Sequence, residues 1–197
     1  KVICLDFERA TLNRKIWLNG HWLCPRSDGN ASSRFVLTPF LNYGKQESIL
    51  LVQTDSCVQF NSHRDSDSDI GRNVWLVKAG QVHVDNWGTN ITIPVINADK
   101  STVEIETPLK NEASDVIVEV STRIQDREGK VLYQISSPAE IAAGGKKVVI
   151  HTIEMFYPER WSVRNPYLYT AIVEVKVGNE LIDSHQTTFG MHSLDSI

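Results

Sequence analysis

No apolar run in the sequence approaches the roughly 18 residues that a helix needs to cross a bilayer, so no membrane-spanning helix and no membrane partner are expected. No segment sustains a 3.6-residue apolar period either, which excludes long amphipathic helices and coiled coils. Cysteine is scarce: Cys4, Cys24 and Cys57 are odd in number and scattered, without CxxC spacing. That pattern excludes a disulfide framework and a structural zinc site, and the three are expected reduced and buried. The six histidines form neither HxH nor HExxH, and there is no Gly-rich phosphate loop or dinucleotide fingerprint. No metal and no cofactor are expected. Clustered Lys and Arg are absent too, and the net charge is −4, so no nucleic-acid partner is expected.

What remains is ordinary for a globular chain. Hydrophobic residues make up 41% and charged residues 22% of 197, enough apolar side chain for a sizeable core. The apolar residues fall in short alternating runs. "VICLDF" puts Val2, Cys4 and Asp6 on one side and Ile3, Leu5 and Phe7 on the other. "KIWLNGHWL" flanks Asn19-Gly20, the dipeptide that most favours a type I′ hairpin. Pro39 in "RFVLTPFL" marks a strand end, since it cannot donate to a ladder. "ESILLVQTD" and "NVWLVKA" read as buried strands, with Trp17 and Trp75 in the core and Trp22 and Trp87 as an exposed pair. Further on, hairpins are expected around residues 126–129 and at Gly178-Asn179.

Turn signals recur roughly every 8 to 12 residues, so the chain is expected to be all-β. "KAGQ" at residues 78–81 breaks two apolar runs and sets the expected domain boundary. Residues 81–190 carry about seven strands, which fits an immunoglobulin-like β-sandwich. Residues 1–80 offer only five or so, thin for a closed sandwich. The abrupt start in strand-like sequence, without Met, gives the expectation of a fragment.

The stretches "VICLDFERATLNRKIWLNGHWL", "FVLTPFLNYGKQESILLVQTD" and "IGRNVWLVKAGQVHVDNWGTNITIP" resemble the glycoside hydrolase family 2 enzymes, particularly β-galactosidases. So does "PERWSVRNPYLYTAIVEVKVGNELIDSHQTTFG". In its closing pattern Trp161 is followed by residues 165–169 and then by Thr188, Phe189 and Gly190. The resemblance implies that residues 1–80 are the later part of a sugar-binding jelly roll. It implies an immunoglobulin-like domain at 81–190 and a linker at 191–197 toward a catalytic (β/α)₈ barrel that this sequence does not contain. With the first jelly-roll strands missing, self-association through residues 1–60 is expected. Carbohydrate is the expected partner, through the parent enzyme.

A retaining glycosidase needs two carboxylates about 5 to 5.5 Å apart, one of them with a raised pKa. Glu104, Glu106 and Glu119 sit at alternating positions of strands whose opposite faces are apolar, and read as solvated faces. The isolated chain is therefore expected to be inactive. Ahead of "IGRNVWL", where the family has an aromatic pair and glycines leaning toward the sugar pocket, stands "HRDSDSD". Its residues His63, Arg64 and Asp65 are the candidate substrate-binding residues. Three readings compete. A calcium loop would use the alternating aspartates 65, 67 and 69, but the Gly and distal Glu of an EF-hand are missing. A pocket rim would turn His63 to the sugar. The third reading, favoured here, is a solvated loop that has lost its pocket role, since sugar recognition wants an aromatic face that this stretch lacks.

Overall fold

The computed structural model describes residues 1–8, 15–23, 33–53, 73–85, 88–97 and 99–192. The fold is all-β, and the only helical element among these residues is a 3₁₀ turn at Thr38–Phe40, with Pro39 in its first turn. The chain divides into two compact units, Lys1–Ala79 and Gly80–Ile197.

The first unit contains strands β1 (Val2–Phe7), β2 (Lys15–Leu18), β3 (His21–Leu23), β4 (Ser33–Val36), β5 (Leu50–Gln53) and β6 (Val74–Ala79). They form two antiparallel three-stranded sheets, β4-β1-β6 and β3-β2-β5. That is six strands among the described residues, where five or so were expected. Asn19 and Gly20 turn β2 into β3 with φ of 50° and 81°, the pair of positive values a type I′ turn requires. Asn19 also anchors the turn: its amide donates to the Phe40 carbonyl (2.8 Å), and its Oδ1 accepts from the Ile49 N–H (2.8 Å). The period of two sends Leu5 and Phe7 to one face of β1, where they pack with Phe35, Leu37, Ile16, Leu18 and Leu23 in one buried cluster.

The sequence reading of β5 and β6 as buried strands is corrected. Val74 and Leu76 lie beside Phe7 and Leu5 on the core face of their sheet, yet both are exposed, Leu76 by 69%. Leu50, beside Leu18, is exposed as well. Among the described residues β6 pairs only with β1 and β5 only with β2, so each ends its sheet at an edge. Apolar sequence marks the face but not the neighbour that covers it. Trp75 is likewise exposed rather than in the core; its indole N–H donates to Glu8 (2.7 Å). Trp22 is exposed as expected, while Trp87, Cys24 and Cys57 lie outside the described residues.

The second unit holds β7 (Val82–Val84), β8 (Asn90–Ile96), β9 (Lys100–Asn111), β10 (Val116–Gln125), β11 (Val131–Ile141), β12 (Lys146–Phe156), β13 (Tyr169–Val177) and β14 (Glu180–Phe189). One sheet is β11-β10-β13-β14; the other is β12-β9 with β7 and β8 sharing the far edge of β9. This is an immunoglobulin-like sandwich. The first of its seven expected strands is broken into β7 and β8, and Pro108 accounts for the break. The Pro108 carbonyl accepts from Asp85 N–H (2.7 Å), so this residue faces the β7/β8 edge and offers no N–H there. β8 pairs with residues 101–106 and β7 with residues 109–111, on either side of the gap.

Strict alternation along β9, with every second residue buried from Ser101 to Asn111, puts Val103, Ile105 and Leu109 inside. They meet Val118, Val120 and Ile124 of β10 and Ala171, Val173 and Val175 of β13. Each fully buried side chain of this size contributes about 1.5–3 kcal/mol. At one end of the sandwich Asn111, fully buried, donates to the carbonyls of Ser114, Ile141 and Ala142 and accepts from Ala113 N–H. One side chain thereby ties together two connections that cross between the sheets.

Candidate functional site

His63, Arg64 and Asp65 lie outside the described residues. Glu104 and Glu106 occupy the outer face of β9, opposite Thr152 and Ile150, and the Glu106 carboxylate is 3.5 Å from the Asn90 amide. Glu119 is exposed on β10, at the edge of an open depression of about 340 Å³ lined by Ile117, Ser136, Pro138 and Gly178. None of these carboxylates is enclosed: Glu119 is exposed, and Glu104 and Glu106 face outward. Among the described residues no three His, Cys, Asp or Glu side chains gather in a metal-binding group.

Two polar arrangements and one aromatic one stand out, all in the second unit. The alternation Val149, His151, Ile153, Met155 turns His151 inward, where it is 3% exposed. Its Nδ1 is 2.8 Å from Thr122 Oγ1 on β10, and its Nε2 is 2.9 Å from Ser137 Oγ on β11. The ring thus bridges the two sheets through both nitrogens. Burial pushes its pKa below the usual histidine value, because the charged form loses its hydration. A neutral, doubly bonded imidazole inside a sandwich is a staple rather than a proton-transfer group.

The second arrangement joins the start of the unit to its last strand. Thr89 Oγ1 lies 2.8 Å from Thr187 Oγ1 and 3.3 Å from His185 Nδ1. Gly88 passes over the His185 ring with φ of 65°, so closely that a Cβ would collide with the imidazole. Asp183 adds a tie on the same strand, accepting from Val84 N–H (2.7 Å).

The third arrangement lies at the end of the sandwich where β12 runs into β13. Tyr167 packs on Tyr169 and Tyr169 stacks on Phe189, with ring centroids 5.0 and 5.7 Å apart. Arg127 lies over the Tyr167 ring at 5.3 Å. The Trp161 ring meets His192 at 5.2 Å, the Trp161 backbone N–H donates to the Met191 carbonyl (2.8 Å), and Gly190 leaves room for the indole. Trp161, Tyr167, Tyr169, Phe189 and Gly190, which belong to the pattern quoted above, are brought together here. Tyr169 is buried, its hydroxyl accepts from the backbone N–H of Glu159 (2.7 Å), and burial raises its pKa. The sequence pattern gave no sign of His192 or of the His151 bridge as partners, although alternation along β12 was enough to turn His151 inward.

Two β-sandwich units in succession, the second immunoglobulin-like and closed at one end by an aromatic ladder, place the chain among tandem β-sandwich proteins. Residues 82–192 match the description "Glycosyl hydrolases family 2". The chain belongs to that family. It is 32% identical over its whole length to a β-galactosidase of Bacteroides ovatus, of which it covers 23%, and 25% identical over 99% of its length to a β-glucuronidase of Formosa agariphila, of which it covers 22%. Among solved structures it is similar to a family 2 member from Bacteroides cellulosilyticus, with a TM-score of 0.87, 26% identity, and coverage of 97% of this chain and 26% of that one. It shares its fold with a Bacteroides uniformis β-glucuronidase, with a TM-score of 0.91 at 22% identity, covering 97% of this chain and 24% of that one. The chain therefore spans about a quarter of the length of the relatives it matches.

Proposed function

We propose that this chain forms non-catalytic β-domains of a family 2 glycoside hydrolase, and that the whole enzyme removes terminal β-galactosyl residues with retention. The observation that carries the reading is the end-to-end similarity to a β-galactosidase of which the chain covers 23%. The two catalytic carboxylates belong to a barrel outside this chain. The β-domains support that barrel, and the segment holding His63, Arg64 and Asp65 borders its sugar pocket. The β-glucuronidase relatives support a second sugar, a β-glucuronide, on the same scaffold.

The test is to read the gene beyond residue 197 and assay its complete product on nitrophenyl β-galactoside, β-glucuronide and β-mannoside. Turnover that prefers the galactoside and vanishes on substituting one of two glutamates at barrel strand ends is the expected result. A preference for the glucuronide transfers the reading to the second sugar. A stop codon after residue 197, with a chain that binds oligosaccharides unaided, replaces both with a stand-alone carbohydrate-binding module.

A further inference from the structure

Among the described residues the two sheets of the second unit end at β11, at β14, at β12 and at the β7/β8 pair. Three of these edges are blunted against pairing with another strand. β7 has three residues, and β8 carries Pro94 within a register shift between Thr92 and Val95. β11 carries Pro138, and the pairing of β14 with β13 shifts register at Val175/Lys176. Prolines, bulges and short strands are the devices that keep a sheet edge from templating another chain. β12 has none of them. It contains no proline or glycine, and it pairs with β9 residue for residue from Lys146↔Lys110 to Phe156↔Lys100 without a shift. Only after Phe156 does the chain turn away, with Tyr157 in a left-handed conformation at φ of 49°.

Hydrogen bonds at the two ends of β12 show which of its groups the edge presents. Just before the strand the Gly145 carbonyl accepts from Asn111 N–H (2.9 Å), and just after it Tyr157 N–H donates to the Asp99 carbonyl (2.8 Å). Antiparallel pairing alternates, so the odd-numbered residues bond to β9 and the even-numbered ones turn their N–H and C=O groups to the open edge. Phe156 follows this rule: its N–H points away from β9 and donates to the Tyr133 hydroxyl (3.0 Å). Lys146, Val148, Ile150, Thr152 and Glu154 therefore face the edge with their backbones. Their side chains are all exposed as well, Val148 by 52% and Ile150 by 56%.

This edge is complementary to a second copy of itself. Antiparallel pairing about a two-fold axis at Ile150 sets Lys146 of each copy opposite Glu154 of the other, Val148 opposite Thr152, and Ile150 opposite its own counterpart. Opposite charges meet at both ends and apolar side chains meet at the centre. Slipping the register by two residues sets Glu154 opposite Val148 or opposite Gly144, and the match is lost. Within one chain Lys146 meets Asp85 (2.6 Å) and Glu154 meets Lys100 (2.5 Å). Surface pairs of this kind hold their side chains weakly, and the ammonium and carboxylate keep capacity for further partners. We infer that β12 is a self-association edge, through which two copies of this chain pair as antiparallel strands about Ile150 and continue one sheet into the other.

The experiment is amide hydrogen exchange of the 197-residue chain over a concentration series, with sedimentation on the same samples. As the concentration rises, exchange at Val148, Ile150 and Thr152 slows several-fold, while the edge strand β14 exchanges as before. Lys146→Glu and Glu154→Lys each weaken the dimer several-fold on their own. An equimolar mixture of the two restores it, because each variant then supplies the charge that the other lacks. Ile150→Lys abolishes the concentration dependence at this edge and keeps the thermal midpoint of the dilute unmodified chain, so its effect is not unfolding. Exchange at Val148, Ile150 and Thr152 that is the same at every concentration overturns the inference. So does protection confined to residues 50–53, which assigns association to β5. Single charge variants that associate like the unmodified chain, or a mixture that does not recover, overturn the pairing about Ile150.

Discussion

Removing the buried imidazole of His151 exposes the logic of the second unit's core. Thr122 and Ser137 reach the ring from two strands of the facing sheet, at 2.8 and 2.9 Å. In the neutral ring one nitrogen donates and the other accepts, so the hydroxyls take complementary roles. His151→Leu leaves the buried Thr122 hydroxyl and the half-buried Ser137 hydroxyl without this partner, at about 1–3 kcal/mol for the first and less for the second, for a loss of roughly 2–4 kcal/mol. Thr122→Val alone strips one nitrogen and costs about 1–3 kcal/mol. The triple variant Thr122→Val, Ser137→Ala, His151→Leu removes all three polar groups together and recovers most of the stability, because no buried polar group is left unpaired.

The same site sets a pH dependence. Burial holds the folded pKa of His151 below the unfolded value of about 6.5, so the folded state binds fewer protons than the unfolded one as the pH falls. The stability that the neutral ring contributes is complete above pH ~6.5 and is lost as the pH falls from there through the folded pKa. The residues facing His151 across the core are Thr122 and Ser137, and its neighbour on β9 is Ile105, so no carboxylate among them offsets the incoming charge. Urea denaturation at pH 8 and pH 5, resolved for the second unit by hydrogen exchange of residues 146–156, reads both effects. A triple variant as unstable as His151→Leu, or one that keeps the wild-type acid sensitivity of this unit, refutes the reasoning.

Three further outcomes are expected. Asn111→Asp turns a donor to three carbonyls into an acceptor-only carboxylate and lowers stability by about 3 kcal/mol or more, measured by urea denaturation. Gly88→Ala forces a Cβ onto the His185 ring at a positive φ and costs roughly 2–5 kcal/mol, and thermal unfolding should show it. Self-association through residues 1–60 is proposed from the edge position that β5 holds among the described residues, and sedimentation over a concentration series should find oligomers that Leu50→Lys or Ile3→Lys disperses. A monomer at every concentration removes that proposal.

Legibility in the sequence followed the physics of each signal. The period of two assigned the faces of β1 and β9 correctly, and positive-φ turn residues located the hairpin at Asn19-Gly20 and the turn at Gly178. Burial of β5 and β6 was misread, because an apolar strand at a sheet edge looks the same in sequence as one at its centre. Broken pairing at Pro108 was missed as well, since a proline's effect depends on which edge its absent N–H faces. The family pattern around Trp161 and residues 165–169 was readable, but its contact with Met191 and His192 needed the return of β14 to the same end. Tyr157's strained backbone has no sequence signature at all, as tyrosine is a poor predictor of positive φ.

The proposed role of these β-domains is to support chemistry located elsewhere in a family 2 enzyme. Its most direct test is the turnover of the purified 197-residue chain on nitrophenyl β-galactoside. No hydrolysis above the enzyme-free blank is expected, with Glu104→Gln, Glu106→Gln and Glu119→Gln indistinguishable from the unmodified chain. Hydrolysis by the chain that any one of those three substitutions abolishes would contradict it.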